Sequence, residues 1–242
     1  MKKIILSIVA AFMLCSLPEC VFAQKKLKDV FPELSPKAIK DIETVVRRRV
    51  KDLNDNIADM ANKDEYDDRT PFVEAAKLLF IHKCESYDEY IYNEDGSIKE
   101  IRQNEGVRME VASLRTMNVK DRLMRKYFEN VVNFKYKAVY ITSTDFAHMK
   151  TTTPQFLKYD ENGNKVYTCT VTFVQKFHAV TNEGYVIEDI TTKTVECTIT
   201  EFEIIADATG RVKSVFSVAL GDVHVDKIEK VNKNDPNQLI PD

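Results

Sequence analysis

Two cysteines in the second half of the chain are spaced so that a hairpin would bring them together. Cys169 and Cys197 lie on strand-like segments that residues 182–184 separate. If these residues form a three-residue loop with Gly184 left-handed, the register places the cysteines directly opposite each other. A disulfide could then form in an oxidising compartment. The alternative is two free thiols packed as small apolar groups, because opposed strands lie near the short limit of disulfide geometry and one bulge would shift the register.

Other residues that could bind a metal or act as a nucleophile are less favourably spaced. Asp222, His224 and Asp226 alternate along a predicted strand and so share one face. Residues two apart on one face lie about 7 Å from each other, which is too far for three ligands of one ion. Cys84 follows His82 by two residues, and on a helix such positions do not face each other. We therefore predict no metal site and no Cys–His nucleophile.

The sequence lacks the common motifs of cofactor-dependent and hydrolytic enzymes. It contains no Gly-rich phosphate loop, no Gly-x-Ser-x-Gly, no His-Glu-x-x-His and no Cys-x-x-Cys. It has 35 Lys and Arg against 38 Asp and Glu, so it carries no excess positive charge for nucleic acid. Its 44% hydrophobic and 30% charged residues are typical of a folded protein. We predict neither a cofactor nor nucleic-acid binding.

The N-terminal residues predict export. Two lysines precede an apolar run at residues 4–17, and residues 21–23 place small side chains at positions −3 and −1 of a cleavage site. This pattern is typical of a signal peptide, so we expect residues 1–23 to be removed and the protein to be periplasmic or secreted. Neither Cys15 nor Cys20 follows a small residue, which disfavours a lipoprotein. No later run is long and apolar enough to span a membrane.

The remaining chain reads as a short leader at residues 24–34, one domain at 35–228 and a polar, flexible tail at 229–242. Ser35 and Pro36 predict the start of a helix. Apolar residues then recur at spacings of three and four, which predicts one amphipathic helix with a buried stripe. The stripe is Ile39, Ile42, Val46, Val50, Leu53, Ile57 and Met60.

Two further helices and nine strands are predicted. Thr70 and Pro71 predict the start of the second helix, and the third is predicted to begin near Asn118. The strands are predicted at 88–93, 98–103, 107–114, 134–144, 155–160, 165–180, 185–205, 211–220 and 222–228. The last four alternate apolar and polar residues, which indicates a mostly antiparallel sheet with one buried face. Helices followed by long strands predict an α+β fold.

Several segments resemble secreted bacterial NTF2-like proteins, which have a cystatin-like fold. The corresponding segments are Leu79-Phe80, Met109-Glu110-Val111-Ala112-Ser113, Tyr127-Phe128, Val139-Tyr140-Ile141-Thr142 and Gly221-Asp222-Val223-His224-Val225. The resemblance covers residues 35–228. It implies a cone in which helices cover one face of a strongly curved sheet, often with an apolar pocket and often with a homodimer through the sheet face. It implies no single activity.

The resemblance also implies which residues would line the cone. Asp145 and His148 lie near the end of a strand that resembles the pocket-lining strand of this fold, and Glu110 and His178 are further ionisable candidates. An apolar pocket would shift the pKa of such a group toward neutrality. The aromatic walls would be Tyr140, Phe173, Phe177, Phe202 and Phe216. Solvent exposure or core packing is the alternative for each residue, since a one-residue slip exchanges the faces.

Two functions of different classes remain open from the sequence. The first is an exported, non-catalytic domain that binds a small apolar ligand or an envelope protein. The second is a small-molecule isomerase or dehydratase that uses a carboxylate or a histidine in the cone. The enzyme requires a pocket of a few hundred Å³ in which at least two ionisable groups converge.

Overall fold

The computed structural model describes most of the chain. The described residues are 33–62, 68–93, 95, 97–113, 118–133, 136–143, 148–206 and 210–229. Contacts divide the chain into two compact units, Met1–Pro36 and Lys37–Asp242, and the elements below belong to the second from Lys37 onward. The predicted signal peptide, most of the predicted leader, Asp145 and the predicted tail beyond Glu229 lie outside the described residues.

Three α-helices and ten strands occupy the described residues. The helices are α1 (Pro36–Ala61), α2 (Thr70–Lys77) and α3 (Met124–Asn133). The strands are β1 (Tyr87–Tyr92), β2 (Ile98–Asn104), β3 (Arg108–Ser113), β4 (Asn118–Leu123), β5 (Tyr136–Ser143), β6 (Lys150–Thr151), β7 (Gln155–Tyr159), β8 (Lys165–Thr181), β9 (Val186–Ile205) and β10 (Val212–Glu229). This is a mixed α+β fold, which confirms the fold class predicted from the order of elements.

Most of the described strands belong to one large sheet. Its order is β4-β3-β10-β9-β8-β5, and β6 and β7 also pair with β8. Pairing is antiparallel except between β3 and β10. The two strands predicted at 211–220 and 222–228 are the single strand β10, whose register shifts between Leu220 and Val223. Strands β1 and β2 form a separate two-stranded sheet.

The prediction that the third helix begins near Asn118 is wrong. Asn118–Leu123 is strand β4, which pairs with β3 along its whole length, and α3 begins at Met124. Five of the six β4 residues are exposed, so this stretch has no apolar stripe that a helix could bury. Pairing with β3 satisfies its backbone groups instead.

Helix α1 packs against the large sheet through the stripe that the sequence predicts. Residues Ile42, Val46 and Val50 of that stripe are fully buried. Asn54, a buried polar residue of α1, accepts a hydrogen bond through its side chain from Gln175 of β8. We call this side of the sheet the helix-facing face and the opposite side the outer face. On β8 and β9 the helix-facing face carries the odd-numbered residues, because side chains alternate and the two strands pair without a register shift.

A strained turn connects α2 to the sheet. The backbone amide of Leu220 donates to the carbonyl of Leu79, which fixes the start of the turn on β10. His82, Lys83 and Cys84 then adopt left-handed φ values of 45°, 53° and 63°. Such a backbone costs a residue with a side chain roughly 1–2 kcal/mol. Gly106 passes so close that a Cβ there would lie 2.5 Å from the carbonyl oxygen of Cys84.

Relief of this strain should stabilise the protein. Lys83 is exposed, so its replacement removes no buried contact. We expect Lys83→Gly to raise the free energy of unfolding by about 0.5–1 kcal/mol relative to Lys83→Ala, since glycine adopts positive φ freely. Urea denaturation of the two variants would measure the difference. Equal stability of the two variants would contradict the strain.

Candidate functional site

A chain of hydrogen bonds runs through the buried side of the large sheet. Lys193 of β9 is 7% exposed, and its Nζ donates to Oε1 of Gln175 on β8 at 2.6 Å. Gln175 is 5% exposed, and its Nε2 donates to Oδ1 of Asn54 on α1 at 2.7 Å. The bonded atoms therefore link β9, β8 and α1 across the interface that the apolar stripe of α1 covers. A lysine here is unusual, because a charged side chain is rarely fully buried without a partner.

Several polar atoms around Lys193 have unused hydrogen-bonding capacity. Among the described residues, the Nδ2 of Asn54 and the Oγ1 of Thr191 are buried and have no hydrogen-bond partner. Thr191 lies between Asp189 and Lys193 on the helix-facing side of β9 and directly opposite Gln175. Since native proteins satisfy nearly all buried polar groups, these atoms mark a place that a further polar group could occupy.

Asp189 lies at the more open end of this row. Burial raises the pKa of its carboxyl group to about 6, although the nearby charge of Lys193 opposes the change. Burial also lowers the pKa of Lys193 to about 8, against the pull of Asp189. The pKa values of both groups thus lie within about one unit of pH 7, which is the range that suits proton transfer at physiological pH.

Aromatic side chains surround Asp189. Phe177 is directly opposite it on β8, and the rings of Phe177 and Tyr136 lie 6.0 Å apart, edge to face. Burial raises the pKa of both Tyr136 and Tyr127, and the Asp189 carboxylate raises each further. We call Tyr127, Tyr136, Phe177 and Asp189 the aromatic rim. All four are only partly buried, so the rim is the accessible end of the site.

The predicted aromatic walls divide between the two faces of the sheet. Phe173 and Phe177 lie on the helix-facing face, beside Lys193 and Asp189 respectively. Phe216 is on the same face farther along, opposite Glu201. Tyr140 is 57% and Phe202 is 39% exposed, and their pairing places both on the outer face.

The ionisable candidates from the sequence are not gathered at this site. His178 is on the outer face, where its Nδ1 lies 3.1 Å from Oε1 of Glu188. Glu110 accepts a hydrogen bond from the backbone of Val225 and lies 3.7 Å from His224. His148 is exposed, and Asp145 lies outside the described residues.

The cysteine register predicted from the hairpin loop is confirmed. Gly184 has φ 84°, Thr181 donates its amide to the carbonyl of Tyr185 at 2.9 Å, and Cys169 pairs directly with Cys197. Both cysteines carry free thiols in the structure.

Metal-binding groups are not found in the part of the chain that the structure describes: no three His, Cys, Asp or Glu residues are placed to hold an ion. Asp222 and Asp226 instead accept hydrogen bonds from the amide of Arg108 and the hydroxyl of Thr194.

Two surface clefts lie away from the Lys193 site. One of about 270 Å³ is lined by Ile81, Tyr87, residues 103–108 and Asp222. The other, of about 380 Å³, lies among residues of α2, α3 and the segment just before α2. The polar groups of the first cleft are hydrogen-bonded to each other. The side-chain amide of Asn104 donates to the hydroxyl of Tyr87, and the backbone amide of Arg108 donates to the carboxylate of Asp222.

Comparison with known proteins gives no relative: no family model, no curated protein and no solved structure matches the chain. None of the described helices is long and apolar enough to cross a membrane.

Lys193 should make stability depend on pH. Its pKa is about 8 in the fold against 10.5 in the unfolded chain, so the unfolded chain binds more protons between these values. The free energy of unfolding therefore rises with pH across this window. We expect the free energy of unfolding of the wild-type protein, measured relative to that of Lys193→Met, to increase by at most about 3 kcal/mol between pH 8 and 10.5.

Urea denaturation across this pH window would measure the change, and the difference between the two proteins cancels other titrating groups. Lys213→Met removes an exposed lysine and should follow the wild-type profile. A difference between wild type and Lys193→Met that stays constant with pH would contradict the burial of a titrating ammonium.

Proposed function

We propose that the chain is an exported, non-catalytic NTF2-like domain that binds a small, mainly apolar ligand with one hydrogen-bond-accepting group. The observation that carries the proposal is the buried Lys193–Gln175–Asn54 chain with its unused donors. The NTF2-like assignment is supported by the resembling segments and by an amphipathic first helix packed on an antiparallel sheet. Export is supported by the N-terminal pattern of basic and apolar residues.

The chemistry of the site favours a carboxylate or a carbonyl as the accepting group. The Lys193 ammonium meets one acceptor among the described residues, Gln175, and so retains donors for a ligand. The Nδ2 of Asn54 adds another donor. An anionic oxygen would gain charge-assisted hydrogen bonds, which are stronger than neutral ones.

The aromatic rim favours an apolar body for the ligand. Phe177, Tyr136 and Tyr127 offer ring surface at the accessible end of the site, and deeper positions are filled by the stripe of α1. A ligand would therefore enter past the rim with its accepting group leading. Aromatic side chains of this kind bind apolar surface without needing a matched hydrogen bond.

A proton-transfer enzyme of the isomerase type is the second candidate. It is favoured by the pKa values of Asp189 and Lys193, about 6 and about 8, which suit a carboxylate base and an ammonium acid. We rank binding first, because the sequence carries none of the common catalytic motifs.

Fluorescent naphthalene probes would test the binding function. Anilinonaphthalene sulfonate is an anion, and phenylnaphthylamine is a neutral analogue of similar shape. We expect saturable binding of both at neutral pH, with the sulfonate bound about tenfold more tightly through a charge-assisted hydrogen bond to Lys193. Lys193→Met should abolish this preference, and Asp189→Asn should increase it by removing a nearby negative charge.

The matched control is Lys213→Met, which removes a lysine outside the site and should leave both titrations unchanged. A preference for the sulfonate that survives Lys193→Met would contradict the role of this lysine. Failure of both probes to bind the wild-type protein would remove the ligand proposal and leave an envelope protein as the partner.

A further inference from the structure

Cys169 and Cys197 are held in register by an uninterrupted strand pair. The pairing of β8 with β9 runs from Lys165 and Glu201 to Val180 and Val186 without a shift. Cys169 is 4% and Cys197 is 1% exposed, and both lie on the helix-facing face. The Sγ of Cys197 donates to the carbonyl of Val195 at 3.8 Å, and the two thiols are close enough to shift each other's pKa, that of Cys169 downward and that of Cys197 upward.

The spacing of the two strands suits a bond between these residues. The Thr181 amide donates to Tyr185, and with an unshifted ladder this makes the odd-numbered positions hydrogen-bonded pairs. The Cα atoms of such a pair lie about 5.5 Å apart, which falls in the most common range for disulfides. Their Cβ atoms must approach by roughly 1 Å, so the bond would carry strain and be reduced more readily than a relaxed one.

We propose that Cys169 and Cys197 form a reversible cross-strand disulfide that clamps β8 to β9 beneath α1. The two thiols lose two protons and two electrons, and a sulfur–sulfur bond forms. The electrons pass to an incoming disulfide oxidant, such as oxidised glutathione, which leaves as two thiols. Because α1 covers both sulfurs, exchange takes place while the helix is not yet packed, during folding or local opening.

The third cysteine in the described residues provides an internal comparison. Cys84 lies in the left-handed turn beside Gly106, on a different element, and burial raises the pKa of its thiol to about 12. It faces neither Cys169 nor Cys197, which pair with each other across β8 and β9. We therefore expect Cys84 to stay reduced under conditions that oxidise the other pair.

Refolding in glutathione buffers would test the pair. The reduced, unfolded protein is refolded at several ratios of oxidised to reduced glutathione, quenched in acid, alkylated and digested with trypsin. We expect the peptides Val166–Lys176 and Thr194–Arg211 to be linked in oxidised buffer and separately alkylated in reduced buffer, with Cys84 alkylated in both. Two alkylated peptides at every ratio would overturn the proposal.

Two further measurements examine the clamp. The oxidised protein should unfold at a higher urea concentration than the reduced protein, because the bond restricts the unfolded chain. Cys84→Ala should form the same linked peptides, and a requirement for Cys84 would overturn the assignment. Equal urea midpoints for oxidised and reduced protein would refute the clamp while leaving the ligand proposal untouched.

Discussion

The packing of α1 against the helix-facing side of β8 and β9 is the constraint on which the other features depend. It encloses a lysine in an apolar interface, where an isolated ammonium would cost several kcal/mol. Gln175 and Asn54 compensate only in part, because one hydrogen bond satisfies one of the three donors of Lys193. Burial in this interface also lowers the pKa of Lys193 to about 8. The chemistry of the site is therefore a consequence of helix packing.

The hairpin register decides which residues this helix covers. Gly184 closes a loop from which β8 and β9 pair without interruption, so one local conformation fixes the partner of every residue along both strands. A slip of one residue would turn the threonine-rich outer face toward α1 and expose Lys193 and the cysteines. The opposed thiols and the buried lysine are thus two results of the same register.

Much of this arrangement could be predicted from local patterns. The stripe of α1 and the Gly184 loop are signals confined to a few residues, and the structure confirms both. The sequence analysis missed the site, which lies on the buried face of β9 at Asp189, Thr191 and Lys193. The same alternation continues along the strand to Val195 and Ile199, which are buried. A lysine at a position where the alternation predicts a buried apolar residue was the signal that could have revealed the site. Candidates such as Tyr140 and Phe216 could not be assigned to a face from the sequence, because their strands, β5 and β10, pair with distant parts of the chain. No local pattern determines which face such long-range pairing buries.

The unused polar atoms distinguish the Lys193 site from the surface clefts. In the cleft beside the strained turn, Tyr87 and Asp222 already receive hydrogen bonds from neighbours, so a ligand would have to displace an existing partner. At Lys193, the ammonium and the amide of Asn54 face an apolar interface without enough acceptors. Leaving a buried donor unsatisfied costs about 1–3 kcal/mol, and a ligand oxygen would recover that energy without breaking a bond within the protein. A closed site with unpaired donors thus has more to gain from a ligand than an open cleft whose groups are paired.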